Sequence, residues 1–367
     1  MSEEPPKRIG FIGLSTNFGN WAARSHIHHL PHTPHYTITA LQNSTLASAA
    51  RTAAHFSLDN PSVTTHSTPS SLATSPTVDI VAVCVKVPEH YALTRPALLA
   101  GKDVFVEWPL ARNLAEASEL TALARSQRVR TMVGLQARQS PAILAAKALI
   151  ADGSKLGRVL GTHMHGAAQM IGPAMLAAHR YVLPVDAGAN MVTIAFSHCV
   201  DALCFVLGEF RDVGAVLANH YPQVTLLDGE MKPVGSAEKT CHDYMSVNGT
   251  LESGAVADVM FSGGHSHTGR TFYWEIVGEK GTLVLEAKGS VQMFHPSLKF
   301  APNTGDPLGP PAPGDFSFNV GKAWDAWAGV GLDKGHSVTT FEDALLRHKM
   351  IEAVYRSAEK ATRETYL

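Results

Sequence analysis

The chain has 367 residues, with 30 Lys and Arg against 32 Asp and Glu, a formal net charge of −2. At roughly 150 residues per domain this length reads as two domains, and the near balance of charge excludes a protein built to neutralise a phosphate backbone, because no basic excess is present to release counterions. Hydrophobic residues at 45 % and charged residues at 17 % exclude a largely disordered chain, which needs the opposite balance.

In chain order, residues 8–14 are short, apolar and glycine-ended, a buried first strand. Residues 21–30 read as a helix, 36–41 as a strand and 46–56 as an Ala-rich helix. Residues 60–76, loaded with Ser, Thr and Pro, hold only a short strand and a turn of helix. Residues 79–87 (DIVAVCVKV) are a near-continuous apolar run, as expected for a central parallel strand covered on both faces. A helix at 90–100, a strand at 103–107, a helix at 114–126 and a strand at 130–136 continue the alternation. Strand–helix alternation over this length implies a doubly wound parallel sheet.

The pattern then changes. A helix at 141–150 and one long apolar helix at 189–207 accompany strands of period-two alternation at 159–165, 212–220, 243–251, 255–261, 271–278 and 282–286, which describe a largely antiparallel sheet covered on one face. Residues 302–321, rich in Pro and Gly, read as a loop, and 341–363 as an amphipathic helix. The fold class is therefore an α/β N-terminal Rossmann domain over 1–137, then an α+β domain with a large open, mostly antiparallel sheet over 138–340, with a C-terminal helical segment, 341–367, expected to pack back on the first domain.

The N-terminus lacks a secretory pattern, no run of 18 apolar residues is read that would span a membrane, and the four cysteines (Cys84, Cys199, Cys204, Cys241) show no CxxC. Cys199 and Cys204, five apart on one helix, suit buried thiols rather than a bridge. The expectation is a reducing compartment, the cytoplasm, with the nucleus as the alternative for a regulator.

The segment from Gly10 through Gly13, Leu14, Ser15, Phe18, Gly19 and Asn20 sits where a dinucleotide fold places its phosphate loop, where glycines let the backbone approach a pyrophosphate at a helix N-terminus. Its spacing departs from GxGxxG: Ser15 takes the second glycine position and Gly19 comes one residue late. The end of the second strand, where a carboxylate would bind a ribose diol and repel a 2′-phosphate, carries Gln42-Asn43-Ser44-Thr45 instead. NADP is thereby favoured slightly over NAD, with Ser44, Thr45 and Arg51 as partners of the ribose.

These elements, taken with further motifs, resemble the glucose–fructose oxidoreductase/inositol dehydrogenase/MocA family. Residues 79–88 followed by His90 are similar to its "strand, Pro, His" element, and Val104-Phe-Val-Glu107-Trp108-Pro109 to its V-x-x-E-K-P. Residues 149–157 are similar to I-x-x-G-x-I-G, Ser197-His198-Cys-Val-Asp201 to G-x-H-x-x-D, and 275–281 to I-x-G-x-x-G. Gly19-Asn20-Trp21-Ala22, Phe105-Val-Glu-Trp108, Gln136 with Arg138, Ser140-Pro141 and the run from Asp186 to Asp201 resemble the fungal galactose-regulon repressor branch of that family.

The resemblance to the enzymes implies hydride transfer with NAD(P) on a small oxygenated molecule, by oxidation, epimerisation or elimination. Val87, His90, Glu107 and Trp108 would lie on the coenzyme. In those enzymes the Lys of E-K-P and an Asp four residues before the motif His assist proton transfer; here Trp108 and Ile194 stand there. His198 remains the acid–base candidate, with Tyr181 and Lys86 as further catalytic candidates, and Trp108, Gln136, Arg138, His165, Asp186 and Asp201 as a substrate pocket. His163/His165 and His265/His267 form HxH pairs without further ligands at zinc spacing, so no metal is expected. The repressor likeness carries the alternative, a non-catalytic dinucleotide sensor that binds a transcriptional activator; a zinc hydrolase ranks last. Expected partners are a small-molecule substrate and a second copy of the chain, a homodimer through the open sheet, with no direct nucleic acid and no membrane.

Overall fold

The computed structural model describes residues 5–17, 19–58, 63–169, 171–303 and 315–367. It divides into two compact units, Met1–Gln136 with Phe316–Leu345, and Ala137–Asp315 with Leu346–Leu367.

In the first unit, strands β1 (Lys7–Ile12), β2 (Tyr36–Gln42), β3 (Thr64–His66), β4 (Ile80–Val83), β5 (Asp103–Val106) and β6 (Thr131–Val133) form one sheet in the order β3-β2-β1-β4-β5-β6. Every pairing is parallel, so the order reverses between β1 and β4, the switch point at whose carboxyl ends open α/β sheets bind ligands. The central strands are buried on both faces: Ile80, Val81, Ala82 and Val83 are all in the core. Helices Leu46–His55, Pro69–Ala73 and Leu114–Gln127 start on the side-chain caps Thr45, Thr68 and Asn113, each accepting a backbone N–H three residues on.

Two sequence expectations are corrected here. The helix expected over 21–30 lasts one turn, Trp21–Arg24, because the Ser25 hydroxyl bonds back to the Trp21 carbonyl at 2.7 Å; the chain then tightens into two 3₁₀ turns, the second with Pro31 near its start. The stretch assigned to a loop over 302–321 contains the start of helix Phe318–Trp327, whose Val320, Ala323, Trp324 and Trp327 join Phe11, Tyr36 and Phe105 in the core. The remainder of that loop falls mainly on 304–314, outside the described residues.

In the second unit, β7 (Val159–Ala168), β8 (Ala174–Leu176), β9 (Phe210–Ala218), β10 (Gln223–Leu227), β11 (Pro233–Glu238), β12 (Tyr244–Leu251), β13 (Val256–Gly263), β14 (Phe272–Gly278), β15 (Gly281–Ala287) and β16 (Ser297–Pro302) build two sheets. The larger runs β16-β15-β14-β7-β13-β12-β9 and the smaller β11-β10-β8. The larger sheet is antiparallel except for β7 beside β13, as its alternation foretold; β8, β10, β11 and β16 are short or polar and escaped the sequence reading. Gly278 is needed where it stands, since a Cβ would meet the Leu156 carbonyl at 2.3 Å.

The inner face is covered by the segment Met191–Phe196, a π-helical turn, running into helix Ser197–Leu207, with Phe196 edge-on to Phe261. Asn190 caps this run through Val192 and Thr193 in a reciprocal capping box. By length and composition Val185–Leu207 could cross a membrane, which corrects the reading that no such run exists, but 83 % of its apolar stretch is buried inside the protein, the mark of a core helix.

The outer face is regular. One row reads Val216, Ser246, Met260, His165, Tyr273, Glu286, Ser297, and the next Gly214, Asn248, Asp258, His163, Glu275, Val284, Lys299.

Candidate functional site

In the first unit the turn after β1 sits at the switch point. Gly13 has φ +93°, and a Cβ there would lie 2.3 Å from the Cys84 carbonyl, so only glycine lets β1 end so close to β4. Asn20 closes the turn: its side chain accepts from the N–H of Ser15 at 3.3 Å and of Ala23 at 3.0 Å and donates to the Gly13 carbonyl at 3.0 Å. Ser15 Oγ accepts from Asn17 N–H at 3.1 Å. Leu14 is buried beneath the turn, Gly19 is exposed, and Phe18 lies outside the described residues. At the end of β2, Asn43 is held by Ser48 and Thr52, Thr45 caps the following helix, and Ser44 and Arg51 are exposed. No carboxylate stands there.

The segments after β4 and β5 are tied together by His90. It is fully buried, with Nδ1 2.7 Å from the Pro109 carbonyl and Nε2 3.1 Å from that of Val85. Burial lowers its affinity for a proton, while those carbonyls and the Glu107 charge act the other way. Val87 and Trp108 are buried and Lys86 is exposed. Gln136, just after β6, is buried with no hydrogen-bond partner for its Oε1 among the described residues.

Glu107 belongs to a cluster that sequence reading missed. Its Oε1 accepts from Trp21 Nε1 at 2.9 Å and lies 2.6 Å from His26 Nε2. Trp324 Nε1 donates to His26 Nδ1 at 2.8 Å, which fixes the neutral imidazole as the Nε2–H tautomer. Cys84 Sγ lies 3.7 Å from His26 Nε2 and 3.9 Å from Glu107 Oε1, so three potential metal ligands converge. A metal would need the Nε2 lone pair, which this tautomer does not offer, and burial pushes the Cys84 thiol well up, away from the thiolate a metal requires. His26 stands among five histidines between residues 26 and 35, and nothing in that run marks it out.

In the second unit His198 occupies the first turn of helix Ser197–Leu207. It is 6 % exposed, its Nδ1 is enclosed without a partner among the described residues, and burial pushes its pKa down to about 4, against the opposing charge of Asp201. Asp201 does not pair with His198. It is wholly buried and accepts a two-pronged bond from Arg138, at 2.9 and 2.6 Å, with Arg347 Nε 3.5 Å away. Two residues assigned to a substrate pocket are thus engaged with each other. Arg347, 1 % exposed, also meets Glu209, which accepts at 2.7 Å from the Tyr366 hydroxyl. The available signal was a lone arginine at a core position of the helix Phe341–Lys360, between Ala344 and Met350.

Tyr181 is half-buried in a 3₁₀ turn, where burial raises its phenol; Asp186 is exposed. His165 lies on the outer sheet face and is lowered by partial burial and then by Arg270. His163 shares that face, 3.8 Å from Glu275. All four cysteines are buried and free.

Comparison with known proteins agrees with this architecture. Residues 7–135 match a family model described as an oxidoreductase family with an NAD-binding Rossmann fold, and 141–287 match that of the Gal80p C-terminal domain. The dehydrogenase aclE of Aspergillus oryzae is 32 % identical over 98 % of both chains. The galactose/lactose metabolism regulatory protein GAL80 of Saccharomyces cerevisiae is 30 % identical over 96 % of this chain and 92 % of its own. The crystal structure of a super-repressor mutant of Gal80p from that yeast superposes with a TM-score of 0.88, at 25 % identity and 98 % coverage of each chain.

Proposed function

Since this chain belongs to the Gfo/Idh/MocA oxidoreductase family, within its Gal80-like branch, we propose that it is an NAD(P)-dependent oxidoreductase that oxidises a hydroxyl of a small oxygenated organic molecule. The observation that carries this reading is His198: an imidazole 6 % exposed, kept uncharged, its Nδ1 without a partner among the described residues, in the helix of the family's histidine motif.

The residues present suit the coenzyme. Gly13 lets the turn after β1 close against the Cys84 carbonyl at the switch point, and the Gln136 Oε1, without a partner among the described residues, is an acceptor in want of a donor. Bound there, a nicotinamide would supply the hydride acceptor. The protein's part is to take the hydroxyl proton as the C–H bond gives up its hydride, and the neutral imidazole of His198 is the base proposed for it. A carboxylate-free β2 end with Ser44 and Arg51 exposed supports NADP over NAD. The outer sheet face, with Val216, Val256 and Met260 exposed, supports a homodimer through that face.

A second reading has its own support. Trp108 carries no titratable proton where the family's enzymes place Lys, and Asp201 is held by Arg138. Both favour a dinucleotide-binding regulator with a protein partner.

One experiment separates them. Purified protein is titrated with NADP and NAD by calorimetry and then screened with polyols and sugars for reduced-nicotinamide absorbance. Turnover that His198→Ala abolishes supports the enzyme; coenzyme binding without turnover on any substrate supports the regulator; no binding of either coenzyme removes both.

A further inference from the structure

The C-terminal residues enter the second unit in an ordered way. Glu364 exchanges two backbone hydrogen bonds with Val213, each 2.9 Å, extending the edge of β9 by one rung. Arg363 bonds Asp212, and Arg356 reaches Glu364 at 3.2 Å. The Ser357 hydroxyl donates to the Thr362 carbonyl at 2.6 Å and accepts from Ala215 N–H at 2.9 Å. Tyr366 then turns inward, 6 % exposed, its hydroxyl accepting from Phe210 N–H at 3.0 Å and donating to Glu209 at 2.7 Å.

From Tyr366 the contacts run without a break to the helix of His198. Glu209 pairs with Arg347, Arg347 faces Asp201, and Asp201 takes the fork of Arg138. Arg347 Nη1 also reaches Cys204 Sγ at 3.3 Å, so one guanidinium touches Asp201, Cys204 and Glu209, spanning the helix and the residue beyond its Gly208 cap. Burial works against an arginine cation there, and the surrounding acids and thiol keep it protonated. Alone, burial would raise the Glu209 carboxyl, but Arg347 and Tyr366 outweigh it and hold it below the usual range.

We infer that the C-terminal segment is a latch on the histidine site, in which Tyr366 and Arg347 are positioning residues that act through Glu209 and Asp201 to fix the turn presenting His198. A buried ion chain is a directional constraint: each member has one geometry that satisfies its partners, and losing one leaves the next charge unpaired. The nearest charge to His198 in this chain is Asp201, three residues on, and Arg138 and Arg347 face that carboxylate from two other segments. The latch therefore sets both the position of the imidazole and the field it feels. This rests on the reading of His198 as the proton acceptor.

The test uses two full-length variants. Tyr366→Phe removes only the hydroxyl, and Arg347→Lys keeps the charge but loses the fork. The Cε1–H resonance of His198, assigned with His198→Asn, is followed by NMR from pH 7 to 4, alongside calorimetry with NADP and NAD. The latch predicts a displaced His198 resonance and titration in both variants, with coenzyme affinity unchanged and, where turnover is measured, kcat reduced about fivefold at constant KM. An unmoved resonance in folded Tyr366→Phe overturns it; if Arg347→Lys does not fold, that variant decides alone. A displaced resonance in a protein without turnover keeps the latch and removes the catalytic reading, whereas turnover with an unmoved resonance does the reverse.

Discussion

Asp201 gives both carboxylate oxygens to Arg138, at 2.9 and 2.6 Å, and none to His198 one helical turn before it. In the sequence His198 and Asp201 stand three residues apart in one motif; the fold makes one an uncharged imidazole and the other a member of an ion chain.

Arg138→Met should therefore destabilise the protein sharply. It leaves Asp201 wholly buried with Arg347 alone, 3.5 Å away, and breaking a buried pair from one side costs about 3–5 kcal/mol. Urea unfolding should show this, and the double variant Arg138→Met/Asp201→Leu should recover more than half. A loss under about 1 kcal/mol in the single variant would mean that the pair is solvated.

Acid should weaken the fold through His198 and His348, whose pKa values burial pushes down to about 4 and about 3. Both are neutral when folded, yet once unfolded they bind protons near the ordinary histidine value. Stability is thus full above about pH 6.5 and is lost as pH falls toward the folded values, by about 2–3 kcal/mol per residue at pH 4.5. In denaturant titrations at pH 7 and 4.5, His198→Leu/His348→Leu should lose correspondingly less than the wild type.

The same property sets the pH profile expected of the proposed oxidation. A base with a pKa of about 4 stays unprotonated across the neutral range, so kcat/KM for alcohol oxidation should show no acid limb near pH 6.5. An acid limb at that ordinary histidine value would mean another base.

Coenzyme binding should fail in Gly13→Ala, where a Cβ would sit 2.3 Å from the Cys84 carbonyl at φ +93°. Ser44→Asp, at the exposed end of β2, should weaken NADPH about tenfold or more while sparing NADH, by repulsion of the 2′-phosphate. Calorimetry reads both, and equal losses for the two coenzymes would remove the NADP assignment.

Val256 and Met260, 64 % and 43 % exposed, share the outer face of β13. If the chain dimerises through this face as proposed, light scattering should show a dimer that Val256→Arg/Met260→Glu converts to a monomer with little change in thermal midpoint; a dimer that the variant leaves unaffected would place the interface elsewhere.

The sequence by itself determined what depends on periodicity. The double-wound sheet follows from apolar runs such as Ile80–Val83, the open sheet from alternation in β12 to β15, and the turn at Gly13 from its glycines between a strand and a helix. It could not show the partners of buried polar groups, because His26, Glu107 and Trp324, or Arg138, Asp201, Arg347 and Tyr366, lie tens to hundreds of residues apart. Hydrophobic patterning acts along an element, whereas a hydrogen bond or ion pair is decided only once folding sets the distance between elements. That is why only the tertiary structure separated His198 from Asp201 and gave Glu107 its histidine.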